Sequence, residues 1–183
     1  MKAITFDVET TGLKLHNAAP LGRQPHIVEF GGVLFNDKGE TLKELSILIK
    51  PPIAMPKDAL EIHNITDEML ARHDNFEKNQ QKIQRFLNQA DLLIAHNLDF
   101  DFNMLLIEFT RLGMELNIPK NQVCTAETSQ MAFGHRLKLS QLYYNQTGKK
   151  LEQTHRALDD ARALAEIAIL GNYLNEIRSP VTH

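Results

Sequence analysis

The order of β-rich and helical segments constrains this chain more than any other feature of its 183 residues. Residues 2–8 alternate, with Ala3 and Thr5 set between Ile4, Phe6 and Val8, which is the period-two pattern of a strand. Residues 26–35 carry Ile27, Val28, Phe30, Val33, Leu34 and Phe35, Asn36-Asp37-Lys38-Gly39 supplies a turn, and β-rich sequence resumes over 41–49 until Pro51-Pro52. A strand followed by a hairpin is expected. Residues 56–89 then read as helices crossing back over the sheet, with Thr66-Asp67-Glu68-Met69 as a capped start and Phe76, Ile83, Phe86 and Leu87 as an apolar stripe. The run 91–95 suits a short buried strand, 100–112 an amphipathic helix stopped by Gly113, and 122–125 one more short strand. Helices are expected over 127–133, 140–146 and 157–175. Short turns first and strand–helix alternation afterwards predict one α/β domain, a mixed sheet with helices packed on it. The segment 20–25 (Pro-Leu-Gly-Arg-Gln-Pro) reads as a surface loop near the end of the first strand, where a ligand has room to sit.

Composition excludes several classes. With 43% hydrophobic and 23% charged residues the chain is an ordinary globular one, neither disordered nor fibrous. Lys and Arg total 20 against 23 Asp and Glu, a formal charge of −3, so a polyanion must meet a local basic patch or bound cations. The lone Cys124 permits no internal disulfide and fits a reducing compartment. No apolar stretch approaches the roughly 20 residues of a membrane span, and the start turns acidic too soon for a signal peptide. A cytoplasmic protein without a membrane partner is expected.

The informative residues are acids where a fold prefers apolar side chains. Asp7 and Glu9, two apart on the first strand, leave the same face of the sheet with Cα atoms roughly 6 to 7 Å apart. Two carboxylates on one face repel; a hard divalent cation such as Mg²⁺ removes the repulsion. In Ala95-His96-Asn97-Leu98-Asp99-Phe100-Asp101 either aspartate suits a helix N-terminus. Asp101, followed at three and four residues by Met104 and Leu105, is the inward one. In Thr154-His155-Arg156-Ala157-Leu158-Asp159-Asp160, Asp159 shares a helix face with Arg162 and Glu166, whereas Asp160 shares one with Ala157, Leu164 and Ile167 and points to the core. A buried acid there needs a partner. His155 lies just before that helix, within reach of the same place. Four carboxylates and a histidine from three separate elements suit two-metal phosphoryl-transfer chemistry, with the histidine accepting a proton from water.

Three ordered motifs carry a family resemblance: Phe6-Asp7-Val8-Glu9-Thr10-Thr11-Gly12-Leu13, then His96-Asn97-Leu98-Asp99-Phe100-Asp101, then His155-Arg156-Ala157-Leu158-Asp159-Asp160. They resemble the exonuclease motifs of the DEDDh 3′→5′ exonucleases, and within that family the catalytic domains of the proofreading epsilon type. Similarity extends through Ile27-Val28-Glu29-Phe30-Gly31-Gly32-Val33 and Ile62-His63-Asn64-Ile65-Thr66-Asp67-Glu68-Met69, nearly the whole chain. The resemblance implies an RNase H-like fold with a five-stranded mixed sheet over residues 1–176, followed by a short tail over 177–183. It implies two Mg²⁺ or Mn²⁺ ions held by Asp7, Glu9, Asp101 and Asp160, with Asp7 bridging both and His155 as general base. By the same matching, Thr10, Thr11, Gly12 and Leu13 contact the terminal nucleotide, and Ile62, His63, Asn97 and Phe100 line its pocket.

The activity so implied is release of nucleoside 5′-monophosphates from the 3′ end of single-stranded or frayed DNA. RNA remains the alternative substrate, as in the related RNase T and oligoribonuclease, and a non-catalytic nucleic-acid-binding module is the alternative of another class. The epsilon type carries a further C-terminal segment that tethers it to a DNA polymerase; no counterpart is seen after the last helix, so a polymerase partner stays open. Arg136, Lys138, Lys149, Lys150 and Arg156 are basic residues placed to guide a strand backbone or simply to be solvated.

Overall fold

A computed structural model describes residues 1–176. Its centre is a five-stranded sheet in the order β3-β2-β1-β4-β5, formed by β1 (Lys2–Thr10), β2 (Ile27–Asn36), β3 (Thr41–Leu48), β4 (Leu92–Ala95) and β5 (Asn121–Cys124). The first three strands pair antiparallel, while β4 runs parallel to both β1 and β5. The sheet is mixed, as the segment order requires, and β1 lies at its middle.

Alternation along β1 divides the interior into two layers. Ile4, Phe6 and Val8 join a core built with α3 (Phe76–Leu87) and α4 (Leu98–Arg111). The stripe Phe76, Ile83, Phe86 and Leu87 is the buried face of α3. Phe30 stacks on Phe6 and meets Phe86 edge-on, both at 6.2 Å between ring centres, and each ring so buried contributes about 1.5–3 kcal/mol. Ala3, on the opposite face, joins Val33, Phe35, Leu92 and Ile94 under α6 (Leu139–Thr147) and α7 (Ala157–Leu170). Thr5 on that face donates its hydroxyl to the Ala161 carbonyl of α7 at 2.8 Å. The next two residues on the same face are Asp7 and Glu9.

Shorter helices α1 (Lys57–His63) and α2 (Asp67–Leu70) follow β3, with Ile65 and Leu70 clustered on Val28 of β2, and Thr66 caps α2 by accepting from the Met69 N–H at 3.2 Å. After β5, α5 (Thr125–Phe133) ends at Gly134, left-handed at φ 78°. The last helix is shorter than its periodicity predicts. α7 ends at Leu170, Asn172 turns left-handed (φ 57°), and α8 (Tyr173–Glu176) begins anew. The Tyr173 ring packs on Gly171, where a Cβ would lie 2.5 Å from it, so the break buries a tyrosine that a continuous helix would carry elsewhere. The segment 20–25 is a single 3₁₀ turn strapped to the end of α4, since Arg111 donates to the carbonyls of Leu21, Gln24 and Pro25. Residues 177–183, read as a tail, lie outside the described residues. Among the described residues no helix is long and apolar enough to cross a membrane.

Candidate active site

The carboxylates converge where β1 outruns its parallel neighbour. Pairing with β4 stops at Thr5, and α4 starts three residues after β4 ends. Asp7 and Glu9 therefore project beyond the β1–β4 ladder, toward the N-terminal turns of α4 and α7. Carboxylate oxygens of Asp7, Glu9 and Asp160 lie within 4.8 Å of one another. Asp160, 8% exposed, comes from the first turn of α7, the inward position that helical spacing selects. Asp101, 2% exposed, comes from the first turn of α4, and its Oδ1 accepts the Val8 N–H at 3.1 Å. Asp99 is exposed. Asp159 is half-buried, so spacing picked out the more buried aspartate of each pair.

The electrostatics show a site short of positive charge. Burial raises Asp7 well above the usual carboxylate range, and the charges of Asp101, Glu9, Asp160 and Glu29 push the same way. Glu9 is pushed up to about 8, by burial first and then by Asp160, Glu29 and Asp101, with Arg156 opposing. Asp101 also rises to about 8 through burial, against the pull of the Val8 N–H. Burial raises Asp160 too, while the charge of His155 and a hydrogen bond from Gln153 lower it. An all-oxygen donor set whose members repel one another is what a hard divalent cation binds. His155 is exposed, with a left-handed backbone (φ 49°), and stands just before α7.

A cleft of about 540 Å³ opens beside Glu9. Of the residues expected to hold a terminal nucleotide, Thr10, Thr11, Gly12, Leu13, Ile62, His63 and Phe100 line it. Leu13 is 80% exposed and Ile62 56%, so both form an apolar rim with no role in the core. His63 is 2% exposed and internally engaged: Nδ1 accepts from the Ile65 N–H at 3.0 Å, so Nε2 carries the proton and donates to the Thr10 carbonyl at 3.3 Å. Its burial lowers its basicity, and it offers a ligand its ring rather than a free nitrogen. Asn97 is not among the lining residues. It opens α4 in a left-handed conformation (φ 70°), and its Oδ1 accepts from Arg136 at 3.4 Å.

One residue of the site escaped sequence reasoning. Glu29, 1% exposed on β2, sits directly opposite Glu9 and holds Arg156 through two hydrogen bonds of 2.7 and 2.9 Å. A lone acid inside the apolar run Ile27-Val28-Glu29-Phe30 was its only signal. Arg156 is consequently committed within the fold. Arg136 and Lys149 pair with Glu127 and Glu166, so three of the five basic residues are engaged.

Comparison with known proteins gives a consistent picture. The profile of the exonuclease family RNase_T matches residues 4–168. DNA polymerase III subunit epsilon of Treponema pallidum is 36% identical over 172 residues, covering 88% of this chain and 72% of that protein. The same subunit of Haemophilus influenzae is 34% identical over 175 residues, 92% of this chain and 66% of its own. Among solved structures, the nuclease domain of 3′hExo, a DEDDh family member bound to rAMP, superposes with a TM-score of 0.75 at 18% identity, covering 96% of this chain and 92% of that one. Exonuclease X in complex with 5′-overhanging duplex DNA gives 0.68 at 23% identity, covering 97% and 94%.

Proposed function

Because the chain belongs to the exonuclease family RNase_T and has the fold of the DEDDh 3′→5′ exonucleases, we propose that it is a metal-dependent 3′→5′ exonuclease that trims DNA. The observation that carries this reading is the convergence of Asp7, Glu9 and Asp160 within 4.8 Å, at the edge of a cleft wide enough for a nucleoside.

In this reading Asp7, Glu9 and Asp160 hold divalent cations, with Asp101 as the further ligand, and Mg²⁺ or Mn²⁺ suits the all-oxygen set. Bound cations supply charge neutralisation of the phosphodiester and acidification of water. The chain's own residues do the rest. The cleft seats the terminal nucleoside, with Leu13, Ile62 and Phe100 against its apolar surfaces and the Thr10–Gly12 backbone beneath. His155, outside the carboxylate cluster and open to solvent, takes the proton from the attacking water. The water oxygen bonds to phosphorus and the bond from phosphorus to the 3′ oxygen of the preceding nucleotide breaks; that oxygen keeps the electron pair and takes up a proton from solvent to become the new 3′ hydroxyl, and a nucleoside 5′-monophosphate leaves. Recognition in this reading rests on a free 3′ end rather than on base order.

The relatives named as polymerase III epsilon subunits favour DNA over RNA and make a DNA polymerase the natural partner. The test is a gel assay of 5′-labelled single-stranded DNA and RNA of one sequence, with Mg²⁺, Mn²⁺ or EDTA, comparing wild type with Asp7→Ala. A cation-dependent ladder shortening from the 3′ end, stronger on DNA and lost in the variant, is expected. Faster shortening of RNA would transfer the protein to the exoribonuclease reading, and no ladder on either would leave a binding module.

A further inference from the structure

Every carboxylate of the site is anchored in a strand or helix, whereas His155 stands in the segment between α6 and α7. Its left-handed backbone is disfavoured for a residue with a Cβ, so neighbouring contacts must hold it. They lie on both sides. Before it, the Thr154 hydroxyl donates to Asp159 Oδ2 at 2.8 Å. After it, Arg156 donates from Nε and Nη2 to the two oxygens of Glu29, and the Ala157 N–H donates to Glu29 Oε2 at 3.0 Å. Gly31, on the same face of β2 as Glu29, leaves the space that lets α7 press down: a Cβ there would lie 2.2 Å from the Ala157 carbonyl carbon and the Leu158 nitrogen. The residue preceding Arg156 is thereby fixed to the sheet through a planar fork of two bonds.

Building on the reading of His155 as proton acceptor, we propose that Glu29 and Arg156 are positioning residues that act through His155, holding its imidazole in register with the carboxylates while touching no substrate. A merely stabilising ion pair would tolerate any cation in place of Arg156. A positioning pair would not, because lysine keeps the charge and loses the two-bond fork that sets direction. Misplacing a reacting group by about 1 Å can cost about 10²-fold in rate.

The experiment is a set of single-turnover and steady-state measurements on 5′-labelled single-stranded DNA at saturating Mn²⁺, run with wild type, Arg156→Lys, His155→Ala and the double variant. We expect Arg156→Lys to slow kcat by about 10- to 100-fold, with KM and the melting temperature nearly unchanged. In the His155→Ala background the same substitution is expected to change the rate by less than about twofold, since the residue it serves is gone. Equal slowing in both backgrounds, or none in the wild type, overturns the inference while leaving the exonuclease reading intact. Full turnover by His155→Ala alone is the separate failure, in which the underlying reading falls and takes this one with it. Should Arg156→Lys melt early, Glu29→Asp, which keeps the charge and shortens its reach to the Arg156 fork, tests the same pair by the same criterion: slow alone, silent beside His155→Ala.

Discussion

Glu9 and Glu29 stand directly opposite each other across the antiparallel β1–β2 pair, both turned to the face that α7 covers. Like charges so placed destabilise a sheet. Glu29 is relieved by Arg156, and Glu9 is left facing Asp7 and Asp160.

From this follows a stability that depends on pH in an unusual direction. Glu9 and Asp101, both raised to about 8, hold protons in the folded state that the unfolded chain gives up near pH 4 to 4.5. Between those values the folded protein binds more protons, so its stability falls as pH rises and is lowest above about 8. Thermal unfolding in EDTA should show a melting temperature that declines from pH 5 to pH 8.5. Added Mn²⁺ should restore most of the loss at the upper end and little at the lower, and a flat profile would mean the carboxylates are not held against their own charge.

Asp7→Asn removes a buried ionisable group with little change of shape. In EDTA at pH 8 the variant should melt higher than wild type, because burial and four neighbouring carboxylates all oppose ionised Asp7. Its gain on adding Mn²⁺ should vanish, and cleavage should fall by roughly 10³-fold or more with the loss of several kcal/mol of charge stabilisation. Calorimetric titration of Mn²⁺ beside the gel assay checks both halves.

His155→Ala should separate binding from chemistry. The side chain is exposed and outside the three-carboxylate cluster, so Mn²⁺ affinity and melting temperature should stay near wild type while kcat drops about 10²- to 10⁴-fold. Weakened cation binding would instead make it a ligand.

Leu13→Ala tests the apolar rim. At 80% exposure its truncation leaves the fold untouched, whereas a nucleoside covering it would bury the side chain. Losing about 1–2 kcal/mol of that contact should raise KM roughly 5- to 30-fold with kcat little altered. Unchanged KM would place the terminal nucleotide elsewhere.

Gly31→Ala should be among the most damaging single-methyl changes in the chain, because the backbone of Ala157 and Leu158 occupies the space at 2.2 Å. Lifting α7 costs about 1–3 kcal/mol or more and should lower the melting temperature by several degrees, with activity falling further than stability alone explains.

Most of the architecture could be read from periodicity, because the elements bury one face each. The hairpin, the α3 stripe and the inward aspartates Asp101 and Asp160 all declared themselves through spacing of two, three or four residues. What spacing cannot express is register between distant segments. Glu29 acquires its meaning only from lying opposite Glu9 and beneath Arg156, 127 residues later in the chain. Arg156 looked like a solvated cation for the same reason. The break after Leu170 was hidden because Gly171 and Asn172 are tolerable in a helix, and only the packing of Tyr173 decides against one.

The bond from the Val8 N–H to Asp101 also decides what a substitution at Asp101 would measure. Beyond Thr5, β4 no longer accompanies β1, and this carboxylate supplies the acceptor for the Val8 N–H inside the protein. Asp101→Ala would strand a buried donor between Asp7 and Glu9 and let the end of β1 drift, so a lost activity would report on the backbone as much as on a ligand. Asp101→Asn keeps an oxygen for that donor and removes only the charge. A carboxylate of the candidate site thus doubles as the last rung of a ladder whose neighbouring strand has already ended.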